Sequence, residues 1–89
     1  MRKIWSDSAW DDYVWWQSQD RKTLKRINRL IKDIERSAGE TGASPIGKAE
    51  HLKHSRFGLS SVRIDATNRL VYKVVDGAPF IVSCKGHYQ

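Results

Sequence analysis

Residues 62–89 read VRIDATNRLVYKVVDGAPFIVSCKGHYQ, and this stretch alternates as strand, turn, strand, turn, strand before a polar tail carrying His87 and Tyr88. Side chains in a strand alternate between two faces. Val62 and Ile64 therefore share one face, and Ser61, Arg63 and Asp65 the other. In the next run Leu70, Tyr72 and Val74 alternate with Arg69, Val71, Lys73 and Val75. The two apolar faces coincide if the connecting loop is odd in length, for example Ala66-Thr67-Asn68, with Asn68 suited to a left-handed position. A second odd loop, Asp76-Gly77-Ala78, would carry Phe80, Val82 and Cys84 onto the apolar face. Ile81, Ser83, Lys85 and His87 would then join Arg63 and Arg69. A one-residue slip would reverse every assignment. The expected product is a sheet with one apolar face for packing and one cationic face open to a polyanion.

The segments upstream supply the cover. Ile4 and Trp5 suggest a short edge strand pairing with this sheet. Ser8, with Asp11 three residues on, resembles a helix start, and the first helix is expected to run to about Gln19. Ala9, Tyr13 and Trp16 form its stripe, and Trp10 is assigned with them to packing. Asp20 is placed to cap a second helix, from about Arg21 to Arg36. In it Leu24, Ile27, Ile31 and Ile34 recur at helical spacing, with Leu30 widening the stripe. Its other face carries Lys22, Lys25, Arg26, Arg29, Lys32 and Arg36. Residues 37–49, SAGETGASPIGKA, read as a loop, because their glycines and Pro45 break regular structure. Glu50 to His54 reads as an extended segment feeding the sheet.

Composition sets the bounds. Eighty-nine residues make one small domain spanning 1–89, and four tryptophans add large buried areas to a modest core. Lys and Arg number 16 against 10 Asp and Glu, a net charge of +6, which favours an acidic partner such as nucleic acid. The single cysteine, Cys84, excludes an internal disulfide and reads as a small buried hydrophobe. No apolar run approaches the roughly 20 residues of a membrane span. The N-terminus turns polar too early for a signal peptide, so the cytoplasm is expected. His51 and His54 lack an evident third ligand for a metal.

Glu50, Arg63, Arg69, His87 and Tyr88 together match one chemistry. RNA carries its own nucleophile, the 2′-OH. Its cleavage by that route needs a base, positive charge on the phosphorane, and an acid for the leaving 5′ oxygen. A carboxylate, arginines and an imidazole of pKa about 6.5 meet those needs. Bland alternatives stand beside this reading. Glu50 is equally a surface carboxylate, Arg63 and Arg69 equally ion-paired to Asp65, and His87 and Tyr88 equally a frayed tail.

Several segments in combination resemble the YoeB/Txe toxins of the RelE superfamily, over nearly the whole chain. They are IWSDSAWDDYVWWQ, RINRLIKDI, GKAEHLKH, RIDATNRLVYKV and the closing CKGHY. The resemblance implies an α+β fold, with two N-terminal helices packed on one face of a small twisted, mainly antiparallel sheet. It implies the toxin of a type II toxin–antitoxin system, acting as a metal-independent, cofactor-free endoribonuclease on mRNA in the ribosomal A site. Carried over by position, Glu50 is the general base, Arg69 stabilises the transition state and Arg63 assists. His87 is the general acid and Tyr88 holds the substrate. Lys53 and His54 line the site, and Lys25, Arg26, Arg29 and Lys32 would track ribosomal RNA. The implied partners are a YefM/Phd-type antitoxin, the ribosome and mRNA, operator DNA through the antitoxin complex, and a second copy of the toxin. Four positions depart from the family pattern: His51 stands for a proline, Ser60 for an aromatic, Gly86 for a bulkier residue, and Gln89 extends the chain. Two other readings remain. A ParE-like gyrase poison on the same superfamily fold would not need Glu50 or His87, and a basic RNA- or protein-binding module would have no catalysis.

Overall fold

The computed structural model describes residues 2–41, 50–51 and 58–86, with residues 37–41, 50 and 51 described by backbone alone. In chain order the elements are β1 (Ile4–Trp5), α1 (Asp7–Gln19), α2 (Arg21–Thr41), β2 (Glu50–His51), β3 (Ser60–Arg63), β4 (Arg69–Val75) and β5 (Ala78–Ser83). The strands form one sheet in the order β1-β5-β4-β3-β2, antiparallel except for the parallel β1–β5 edge. Both helices pack over β5 on one face. This is the expected α+β arrangement, with β1 at the expected edge. Among the described residues no helix is long and apolar enough to cross a membrane.

Strand β1 passes into α1 with no intervening loop. Ser6, not Ser8, is the N-cap: its extended backbone lets Oγ accept from the Ala9 amide at 3.0 Å. The same hydroxyl donates to the Val82 carbonyl at 2.8 Å, while the Ser6 amide donates to the Ile81 carbonyl at 3.0 Å. One residue thus starts the helix and ties it to β5. Asp20 caps α2 as expected, accepting from the Lys22 and Thr23 amides and from the Thr23 hydroxyl. The second helix runs to Thr41, past the expected end at Arg36, so the connecting segment is shorter than its glycines suggested.

The core follows the sequence stripes. Ala9 and Trp16 of α1 meet Ile27, Leu30, Ile31 and Ile34 of α2. Val62, Ile64, Leu70, Tyr72, Ile81 and Cys84 complete it from the sheet side. Each fully buried aliphatic side chain contributes roughly 1.5–3 kcal/mol. Trp10 departs from its core assignment, because half of it stays exposed. It stands edge-on to Trp5, at 5.8 Å between ring centroids, and stacks with Tyr13 at 6.0 Å, so it joins an aromatic surface cluster instead.

The β3–β4 connection obeys the odd-loop rule. Arg63 pairs with Arg69, leaving five residues between them, so Val62 and Leu70 share the core face. Asn68 does not take a positive φ, unlike the expectation, and serves the loop through its side chain. The β4–β5 connection departs from the odd rule. Val75 pairs with Ala78 across a two-residue turn, Asp76-Gly77, with φ of 50° and 78°. Asp-Gly with both residues left-handed matches the twist of the flanking strands. The even turn reverses the expected parity of β5. Ile81 enters the core opposite Tyr72, and Phe80 turns to the other face, where Lys73 sits 5.4 Å above its ring. An irregularity in the ladder then skips Val82, which is only half-buried, and Ser83 pairs with Val71. A bulge restores the parity. Cys84 returns to the core and Ser83 to the arginine face, as expected.

Candidate active site

Arg63 and Arg69 are the fixed points of the cationic face. Their pairing is flanked by the Ile64 amide donating to the Asn68 carbonyl at 2.9 Å, and the Arg69 amide points away, to the Gly86 carbonyl at 3.0 Å. They are therefore a non-hydrogen-bonded pair, the kind whose Cα atoms lie about 4.5 Å apart with side chains closest. Like charges so placed are destabilising. Asp65 does not relieve them. Its carboxylate accepts from the Thr67 and Asn68 amides and from the Asn68 side chain. The Thr67 amide, then the Asn68 side chain, hold that carboxyl below its ordinary value. Among the described residues the ion pairs are Lys3–Glu35 and Arg36–Asp33, so neither arginine has a carboxylate partner there. From the helix side, Arg26 Nη2 donates to the Arg63 carbonyl at 3.4 Å and ties α2 to the end of β3.

Glu50 meets this face through backbone register. Glu50 pairs with Ser61, Ser61 with Val71, and Val71 with Ser83, giving one row across four strands. Ser61 has the parity of Arg63, so position 50 falls on the face of the two arginines. That face turns away from the helices, yet Ser61 is 2% and Val71 0% exposed. Its floor is thus shielded from water, while Arg63 at its end is exposed. Charges beside such a floor interact more strongly than in bulk solvent. Ser60, one of the departures from the family pattern, lies in the adjacent row opposite Tyr72 and is buried.

The residues entering the tail are held by contacts that sequence reasoning did not anticipate. Asp12 Oδ2 accepts from the Cys84 amide at 3.1 Å, and Trp16 Nε1 donates to the Cys84 carbonyl at 2.8 Å. Asn68 Oδ1 accepts from the Gly86 amide at 2.8 Å, and Gly86 in turn accepts from Arg69. Gly86 has φ of 78°, a conformation glycine adopts without cost. The glycine that departs from the family pattern is therefore fixed, not loose. Lys85 lies 4.2 Å above the Trp15 ring, toward α1, and not beside the arginines. The chain leaves the strand after Ser83, so period-two parity no longer applies. His87, Tyr88, Gln89, Lys53 and His54 lie outside the described residues.

Lys22, Lys25, Arg26, Arg29, Lys32 and Arg36 are all exposed on α2, as the spacing required. Cys84 is buried, donates from Sγ to the Ala9 carbonyl, and has its pKa pushed up to about 12 by burial and by the nearby Asp12 charge. It reads as packing and not as a nucleophile. Among the described residues no three His, Cys, Asp or Glu side chains cluster to hold a metal.

Comparison with known proteins agrees with this architecture. Residues 5–88 match the family described as the YoeB-like toxin of bacterial type II toxin-antitoxin systems. Toxin YoeB of Escherichia coli K12 is 46% identical over 88 residues, covering 99% of this chain and 100% of the relative. The structure of a YoeB dimer from Staphylococcus aureus superposes with a TM-score of 0.82 at 43% identity, covering 99% of this chain and 98% of that one. A heterotetrameric YoeB-YefM toxin-antitoxin complex from the same organism gives 0.80 at 42% identity, with the same coverage.

Proposed function

Since the chain belongs to the YoeB-like toxins of bacterial type II toxin–antitoxin systems, we propose that it is a ribosome-dependent endoribonuclease that cuts mRNA in the A site and so arrests translation. The observation that carries this reading is the Arg63–Arg69 pair on the face to which register assigns Glu50. Two guanidiniums held side by side, without a carboxylate partner among the described residues, suit a ligand that brings its own negative charge. From strand spacing and rise, the Cα atoms of Glu50 and Arg69 are about 12 Å apart.

The reaction draws on these groups in sequence. Glu50 takes the proton of the 2′-OH, and the 2′ oxygen attacks the adjacent phosphorus. Arg69, assisted by Arg63, offsets the charge gathering on the phosphorane oxygens. The bond from phosphorus to the 5′ oxygen breaks, and His87 gives that oxygen its proton. The products are a 2′,3′-cyclic phosphate and a 5′-OH, with all atoms supplied by the RNA and no cofactor in the proton balance. Tyr88 holds the base or sugar, and Lys53 and His54 border the site. Lys25, Arg26, Arg29 and Lys32 contact ribosomal RNA through phosphates, which give affinity without sequence reading.

The Staphylococcus aureus complex supports a YefM-type antitoxin as the partner that neutralises this chain, and the dimer from that organism supports self-association. In this reading the antitoxin complex binds its operator DNA, and the toxin works in the bacterial cytoplasm. Primer extension on an mRNA in a purified translation mixture, with and without ribosomes, tests the proposal. Cuts on ribosome-bound message that vanish with Glu50→Ala are expected. Full activity of Glu50→Ala, or equal cutting of free RNA, would overturn it. Inhibition of gyrase without any mRNA cutting would point instead to the ParE-like mode.

A further inference from the structure

The Asn68 side chain joins the β3–β4 loop to Gly86, near the other end of the chain. Its Nδ2 donates to both Asp65 carboxylate oxygens at 3.0 Å, and its Oδ1 accepts from the Gly86 amide at 2.8 Å. Donor and acceptor ends are therefore both committed, and the amide can face only one way. The next residue, Arg69, donates its amide to the Gly86 carbonyl. Both backbone groups of Gly86 are thus fixed by consecutive residues, one of them the arginine read as the transition-state stabiliser. Two residues earlier, Asp12 and Trp16 hold Cys84 by the same pair of groups. The chain reaches position 87 from a point set relative to Arg69 on one side and α1 on the other.

We infer that Asn68 is a positioning residue for RNA cleavage, acting through Gly86 to set where the segment bearing His87 begins relative to Arg69. Its side-chain amide is committed to Asp65 and Gly86, so its effect on the reaction is indirect. The inference rests on the assignment of His87 as general acid. Proton transfer to a leaving oxygen requires hydrogen-bond reach, so loss of the anchor lowers the chemical step while leaving substrate affinity to the arginines and the basic helix. Gly86 offers a second route to the same point. Among the described residues a Cβ there meets no atom within 4 Å, so Gly86→Ala acts through the strain of an L-residue at φ 78°.

The test is single-turnover cleavage of ribosome-bound message by wild type, Asn68→Ala, Gly86→Ala, His87→Ala and the double variant Asn68→Ala/His87→Ala. Asn68→Ala is expected to lower the maximal rate roughly 10- to 100-fold, as small misplacements of catalytic groups do, with unchanged half-saturation for ribosomes. Gly86→Ala should follow the same pattern. In the His87→Ala background, Asn68→Ala should cost nothing further, because non-additivity marks residues acting through one another. A wild-type rate in both Asn68→Ala and Gly86→Ala overturns the inference while His87 stands. So does an equal loss from Asn68→Ala in both backgrounds, which is the signature of a merely structural role. A wild-type rate for His87→Ala overturns the general-acid assignment and this inference together.

Discussion

Arg63 and Arg69 face each other directly across the β3–β4 ladder, at a pairing where side chains come closest, and Asp65 nearby is committed to the loop backbone. A like-charged pair of this kind lowers stability by up to about 1 kcal/mol relative to a neutral one. Function and stability should therefore move in opposite directions. Arg63→Gln is expected to slow cleavage of ribosome-bound RNA by about 10- to 1,000-fold, the range for loss of one charge-stabilising donor. Its melting temperature should hold or rise. Thermal unfolding and single-turnover rates on the same preparation check both, and a variant less stable and fully active would contradict the role given to the pair.

The exposed cations of α2 should read as salt dependence. Replacing Lys25, Arg29 and Lys32 with Gln is expected to flatten the plot of log ribosome affinity against log salt by about 0.7–0.9 for each phosphate no longer neutralised. Ribosome pelleting or fluorescence titration from low to high salt measures the slope. An unchanged slope would leave this face a solvated helix surface.

The α2 stripe carries much of the fold. Ile27 and Ile34 are fully buried between α1, α2 and the sheet. Truncating either to Ala should cost about 2–5 kcal/mol, seen as a lower denaturant midpoint. Truncating Val14, which is 46% exposed, should cost far less.

Acid should weaken one helix cap and one loop. Asp20 is held below the ordinary 3.8 chiefly by the Thr23 hydroxyl, and Asp65 chiefly by the Thr67 amide. A depressed folded-state pKa adds stability that is complete above 3.8 and is lost as pH falls through the lower folded value. Stability should drop below pH 3.8, and Asp65→Asn should make that limb shallower. Denaturant titrations across the range test this.

Burial gives Cys84 a different signature. With a thiol pushed up to about 12, it carries almost no thiolate at neutral pH. Thiol reagents should leave the native protein unlabelled and modify one site once it is unfolded.

Most of the fold was legible in the sequence, and the exceptions have specific causes. The helix stripe Leu24-Ile27-Ile31-Ile34 was readable because a 3.6-residue period admits few other folds. The facing arginines were readable because any odd β3–β4 loop keeps the same parity, so five residues served as well as three. The parity of β5 failed for the opposite reason. A two-residue Asp76-Gly77 turn and a bulge at Val82 each shift the count by one. The first had a visible signal, since Asp-Gly between apolar runs favours a two-residue hairpin. The bulge had none. The Asn68–Gly86 and Asp12–Cys84 hydrogen bonds join residues 18 and 72 positions apart, where no local pattern operates.

The most direct measurement is the chemistry of the cut ends. Message recovered from stalled ribosomes after treatment with this protein would be analysed by mass spectrometry and end-specific ligation. Attack by the 2′-OH leaves a 2′,3′-cyclic phosphate upstream and a 5′-OH downstream. A 3′-OH with a 5′-phosphate would contradict the roles assigned to Glu50, Arg69 and His87.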